Sequence, residues 1–157
     1  MRLRLRYVAL AFICVGVYLV AASHRPVVSP DTRITQPAPD APAEMAALSG
    51  VWEGVGPEDL PIRLIVESIR GHLASVVYTW GDHPEGKFHR GWLRVRASVS
   101  PDGKLFWRLP GEFTFQLSED WTTLVGKREH AGKTAPSLMR RVPTGTTLTA
   151  LSVDDTQ

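Results

Sequence analysis

The sequence predicts an all-β domain, an eight-stranded antiparallel up-and-down barrel, preceded by an N-terminal membrane-targeting helix and a Pro-rich linker. Three observations lead there. No stretch after residue 45 sustains a helical period. Gly or Pro recurs there at the spacing of roughly 8–12 residues that punctuates short strands. Between these breaks, apolar and polar residues alternate at period two, the mark of a half-buried antiparallel sheet.

The N-terminus carries an address. Arg2, Arg4 and Arg6 precede an uncharged run from Tyr7 to Ala22, and no acid occurs before Asp31. A basic flank stays cytoplasmic, so everything after Ala22 is expected beyond the membrane, in the periplasm where the cell has one. The run exceeds a usual signal core and falls just short of a span of about 20 residues. Cleavage after Val20-Ala21-Ala22 and retention as an anchor are therefore both open. Bulky Phe12 and Ile13 precede Cys14, which argues against lipoprotein processing. Residues 23–45 follow as a linker, with Pro26, Pro30, Pro37, Pro39 and Pro42 favouring extended polyproline II.

The domain is expected over 46–143. Its strands read as Ser49–Gly54, Ile62–Glu67, Leu73–Trp80, His89–Val99, Lys104–Leu109, Glu112–Leu117, Thr122–Arg128 and Ala135–Val142. Leu93, Val95, Ala97 and Val99 share one face, while Trp92, Arg94, Arg96 and Ser98 share the other. Leu105, Trp107 and Leu109 alternate with Phe106 and Arg108, and Phe113, Phe115 and Leu117 with Thr114 and Gln116. Ser100-Pro101-Asp102-Gly103 suits a type I turn, and Pro110-Gly111 a type II turn. Connections this short join antiparallel neighbours, and a meander of eight strands removes its outer edges by closing. The Thr-rich segment 144–157 reads as a tail.

Leu48-Ser49-Gly50-Val51-Trp52-Glu53-Gly54 on the first strand resembles the Gly-x-Trp opening of lipocalin-like (calycin) barrels. The resemblance implies that a basic side chain near the chain's end packs over Trp52 and closes the barrel's bottom. Arg140 and Arg141 on the last strand are the candidates, since a guanidinium over an indole gains cation–π attraction and covers the ring.

The chain has 157 residues, 18 basic and 16 acidic, for a net charge of +2. With the charge this near balance, nothing global argues for nucleic acid. A single cysteine excludes a disulfide framework and any cysteine-based zinc site in the domain. Ser75, Ser98 and Ser137 lie within strand patterns, not on a nucleophile elbow, and no Gly-rich phosphate loop opens a helix. No metal or other cofactor is expected.

An up-and-down meander gathers alternate connections at one end. Residues 55–61, 81–88, 110–111 and 129–134 form the looser end, while tight turns near 68–71, 100–103 and 118–121 form the other. The looser end is the expected mouth. It gathers Asp82, His83, His89, Glu129 and His130, though on hairpins expected at opposite sides of the barrel. Tyr78, Trp80 and Trp107 are expected to point inward toward it, around a shallow apolar pocket or in mutual contact that fills it. Trp92 with Arg94 and Arg96 forms a second, outward candidate surface. The leading reading is an exported, non-enzymatic module that binds a small apolar or amphipathic ligand at its open end. An envelope-protein partner or inhibitor target on the Trp92 face is the alternative, and a hydrolase using His83 or His130 ranks lower.

Overall fold

The computed structural model describes residues 31–108 and 110–143. The expected targeting segment 1–22, residues 23–30 of the linker, Leu109 and the tail 144–157 lie outside the described residues. A short helix, α1 (Ala43–Ala47), precedes eight strands. These are β1 (Gly50–Val55), β2 (Pro61–Arg70), β3 (Leu73–Trp80), β4 (Gly91–Val99), β5 (Lys104–Arg108), β6 (Glu112–Leu117), β7 (Thr123–His130) and β8 (Lys133–Arg141). Each strand pairs antiparallel with the next, and β8 returns to β1 from Trp52↔Arg141 to Val55↔Leu138. The meander is a closed barrel. No helix among the described residues is long and apolar enough to cross a membrane.

Three elements differ from their expected form. β2 runs on to Arg70 because a bulge inserts Glu67 between Val66 and Ser68. The extra residue shifts the parity, so that Ile69 points inward after Ile62, Leu64 and Val66. Glu67 accepts hydrogen bonds from Ser75 Oγ and Arg94 Nε, both at 2.9 Å, which fixes the bulge. The loop expected over 129–134 shrinks to Ala131-Gly132, since Glu129↔Thr134 and His130↔Lys133 still pair. Both turn residues adopt positive φ, the geometry that matches the twist of a two-residue hairpin. Finally, α1 forms where polyproline was expected, and the anticipated domain start at residue 46 falls inside it.

The helix is a plug. Met45 and Leu48 drop into the barrel's lower end and are buried with Trp52. Trp52 is fully buried, and its Nε1 donates to Leu48 O at 2.9 Å. Arg141 lies over the indole, Cζ 4.3 Å from the ring centroid. Its guanidinium also donates to Ser49 O at 2.9 Å and to Ala47 O, satisfying a carbonyl that the end of α1 leaves open. Of the two arginines anticipated, Arg141 makes the stack and Arg140 remains exposed. Gly50 takes φ +122°, and a Cβ there would lie 3.2 Å from Arg141 Nη1. The Gly-x-Trp pattern thus makes room for its own lid.

Replacing Trp52 with Ala should destabilise the fold by about 3–5 kcal/mol in urea unfolding, because it empties the plug. Arg141→Met should cost about 1–2 kcal/mol from lost carbonyl bonds and cation–π attraction. Arg140→Met should stay within about 0.5 kcal/mol of the parent, as for an exposed side chain. Equal losses at Arg140 and Arg141 would contradict this closure.

Candidate functional site

From the plug upward, the barrel is filled until a layer of rings is reached. Trp107 stacks on Phe113 at 4.8 Å and on Phe115 at 5.3 Å, and Tyr78 tilts against all three. Above this floor the interior opens into a cavity of about 350 Å³, at the low end of small-molecule pockets. Leu60, Tyr78, Trp80, Leu93, Phe113 and Phe115 supply its apolar wall. Gly126 lets two wall groups in: a Cβ there would sit 2.1 Å from Ser137 Oγ and 2.5 Å from Phe115 Cε1. The lower half is solid and the upper half hollow.

The wall is not evenly laced. β4 and β5 pair only at Ser98↔Phe106 and Val99↔Leu105, near the closed end. Toward the mouth they diverge, leaving Leu93 and Val95 half-buried while Ala97 is fully covered.

Two loops are latched across the rim. In the 57–60 turn, Glu58 and Asp59 both hold φ of 57°, a left-handed conformation uncommon for non-glycine residues. This turn sends Leu60 into the cavity and Glu58 toward the 81–90 loop. There His83, buried to 5% exposure, places Nε2 2.6 Å from Glu58 Oε2. Its Nδ1 accepts from the Glu85 amide at 3.0 Å, so neutral His83 carries its proton on Nε2 and donates it to Glu58. Lys87 Nζ reaches the same carboxylate oxygen at 2.9 Å. Phe88 sets its ring against His83, centroids 4.9 Å apart. Hydrogen bonds from Lys87 and His83 hold the Glu58 carboxyl down at about 2.

The anticipated residues separate into three places. Tyr78 and Trp80 line the cavity, and Trp80 Nε1 is anchored to His89 O at 3.0 Å. Trp107 points inward, but it lies in the ring layer beneath and not on the wall. Trp92 and Arg94 face outward. Trp92 is 43% exposed, whereas Arg94 is engaged by Glu67 at 2.9 Å and Asp31 at 3.2 Å.

The polar mouth residues do not assemble into a catalytic or metal centre. Asp82 and His89 approach to 3.7 Å on an exposed rim, and Glu129 pairs with Lys127 at 2.5 Å. No hydrogen bond or ion pair joins His83 to His130, and both His83 nitrogens are already engaged. No group of three or more metal-ligating side chains occurs among the described residues. Two residues escaped the sequence reading. Glu58 gave no local signal, but Arg128 shares its parity with Leu124 and Gly126, an inward face.

No family model matches the sequence, and no curated protein matches it. Among solved structures, the chain is similar to the siderocalin Ex-FABP, described as functioning through dual ligand specificities. That match has 14% identity and a TM-score of 0.43, over 64% of this chain and 78% of the other. A lipocalin whose expression is activated on cell transformation by the myc oncogene has 16% identity and a TM-score of 0.42. It covers 62% of this chain and 71% of its own. The barrel assignment rests on this chain's own closed ladder.

The latch has a pH signature. A carboxylate lowered from 4.5 to about 2 stabilises the folded state fully above the higher value. That contribution declines as pH falls and is gone below the lower value. NMR titration of the Glu58 carboxyl should therefore give a midpoint near 2, with the loops still joined at pH 4. A midpoint near 4.5 would mean that the loops are apart in solution.

Proposed function

We propose that the protein is an exported, non-enzymatic binding module that takes a small apolar or amphipathic molecule at the open end of its barrel. The observation that carries this reading is the hollow upper half, walled by aromatic and aliphatic side chains above a packed ring layer. Apolar walls with a few convergent polar groups suit ligands that release water from hydrocarbon surface on entry. Export is supported by Arg2, Arg4 and Arg6 ahead of the uncharged run, in an order that leaves the barrel outside the cytoplasm. The linker then joins the barrel to the bilayer, or to the cleavage site near Ala22.

A second reading keeps one observation of its own. Trp92 is exposed on the outer face of β4, away from the cavity, where a partner protein of the envelope could cover it.

Intrinsic fluorescence tests the first reading. Fatty acids, small aromatics and sugars are titrated into the protein as the cell processes it, in nanodiscs if the N-terminal segment is retained. Apolar chains or rings should quench the signal. Trp80→Phe should remove most of the response, and Trp92→Phe should leave it intact. Silence toward every class would sink the cavity reading and favour the Trp92 face. Separately, reporters fused after residue 60 should be active only when the reporter works outside the cytoplasm; activity of a cytoplasm-only reporter would refute export.

A further inference from the structure

Arg128 is the anomaly of the barrel interior. It follows Leu124 and Gly126 on the inward face of β7, opposite Phe113 of β6 and Ala135 of β8. A guanidinium on an apolar inner wall is costly unless its donors are used and its charge is balanced. The first is met only in part and the second not at all. Arg128 Nε is buried without a hydrogen-bond partner, and Nη2 reaches only Pro110 O at 3.4 Å. The guanidinium lies 5.4 Å from the Phe113 ring centroid, and it has no ion pair among the described residues.

Other arginines of this domain are treated differently. Arg63 meets Glu53, Arg94 meets Glu67 and Asp31, and Arg108 meets Glu112. Nor do neighbouring carboxylates reach Arg128. Glu129 is taken by Lys127, and Glu58 at the rim is held by His83 and Lys87. The half-buried side chain thus lines the cavity with its Nε covered and unpartnered, its tip at the rim, and no carboxylate balancing it. Two hydroxyls share its chamber, those of Tyr78 and Ser137, and neither bonds another described residue. Burial pushes the Tyr78 phenol up to about 12, against the opposing charge of Arg128, so it stays a proton donor at any physiological pH.

We propose that the ligand carries a carboxylate, received by the guanidinium of Arg128 with the Tyr78 and Ser137 hydroxyls beside it, while its hydrocarbon lies against Trp80, Leu93 and Phe113. This deepens the reading of the cavity as a ligand site and rests on it. A planar carboxylate matches the two-pronged donor edge of Arg and supplies the one negative charge the wall lacks. Lys127, the other cation lining the cavity, is already paired with Glu129, so a phosphate monoester would bring nearly two charges to one unpaired cation, and an ammonium would be repelled.

The test compares octanoate, 1-octanol, octylamine and octyl phosphate by Trp quenching, using the protein as the cell processes it and subtracting empty nanodiscs where these are needed. Octanoate should bind roughly ten-fold tighter than octanol, the scale of one charged hydrogen bond. Octylamine should bind weakest. Arg128→Met should bring octanoate down to octanol's affinity, the preference being read as the ratio of the two within each protein. Arg128→Lys should retain part of the preference, and it decides the matter if the Met variant does not fold. Octanol binding as tightly as octanoate would overturn the carboxylate while leaving the binding function intact, as would preference for octyl phosphate. A preference that survives both substitutions would overturn the role of Arg128. If no probe binds, the cavity reading falls first and this proposal with it.

Discussion

The fold turns on one cation over one ring. Arg141 comes from the last strand, Trp52 from the first, and the carbonyls of Ala47 and Ser49 from the plug between linker and barrel. A single guanidinium thus joins the seam of the barrel, the centre of its floor and the end of a helix of only five residues. Isolated helices that short are unstable in water, so α1 exists because its carbonyls and its Met45 have somewhere to go. Once the floor is sealed, apolar side chains can stack upward from it without meeting water.

How far they stack is decided by ring geometry. Trp107 stacks nearly parallel with Phe113 and Phe115, with Tyr78 tilted against them, and the stack fills the interior at that level. On β7 and β8 the inward positions are either small, as at Gly126 and Ala135, or polar, as at Arg128 and Ser137, so the wall there stands back from the rings. An eight-stranded interior is narrow enough that these few choices separate a solid core from a chamber. Placing the chamber between rings below and a latched rim above gives it an apolar floor and a polar rim.

Most of the barrel was legible in the sequence because its physics is local. Alternation located the strands, and Pro-Asp-Gly and Pro-Gly located turns whose backbone demands are specific. Trp52, Tyr78 and Trp80 were legible for the same reason: each keeps the parity of an otherwise apolar face. What escaped depends on distant partners. The Glu67 bulge is held by Arg94, 27 positions later, so a strand end was read where parity merely slipped. Trp92 and Arg94 looked like one surface, yet Arg94 is already committed to Glu67 and Asp31. Arg128 broke the rule that located everything else, since a charge on an inward position reads as an outward one. A five-residue helix is too short to display a period, and Pro42 at its start masked it further.

The parting of β4 from β5 gives the barrel an uneven mechanics. A closed sheet is a hoop, and a hoop yields where it is bound least. Here one junction has only two paired positions, both close to the sealed floor, while β2 and β3 or β7 and β8 pair along their full lengths. Circumference is therefore set firmly below the ring layer and loosely above it, since fewer ladder bonds resist local opening there. Among the described strands that seam has the fewest pairs, the lowest of them at Val99 and Leu105. Any widening there leaves the floor as it is, because Trp52 and Arg141 lock the barrel at its other seam, where β1 meets β8.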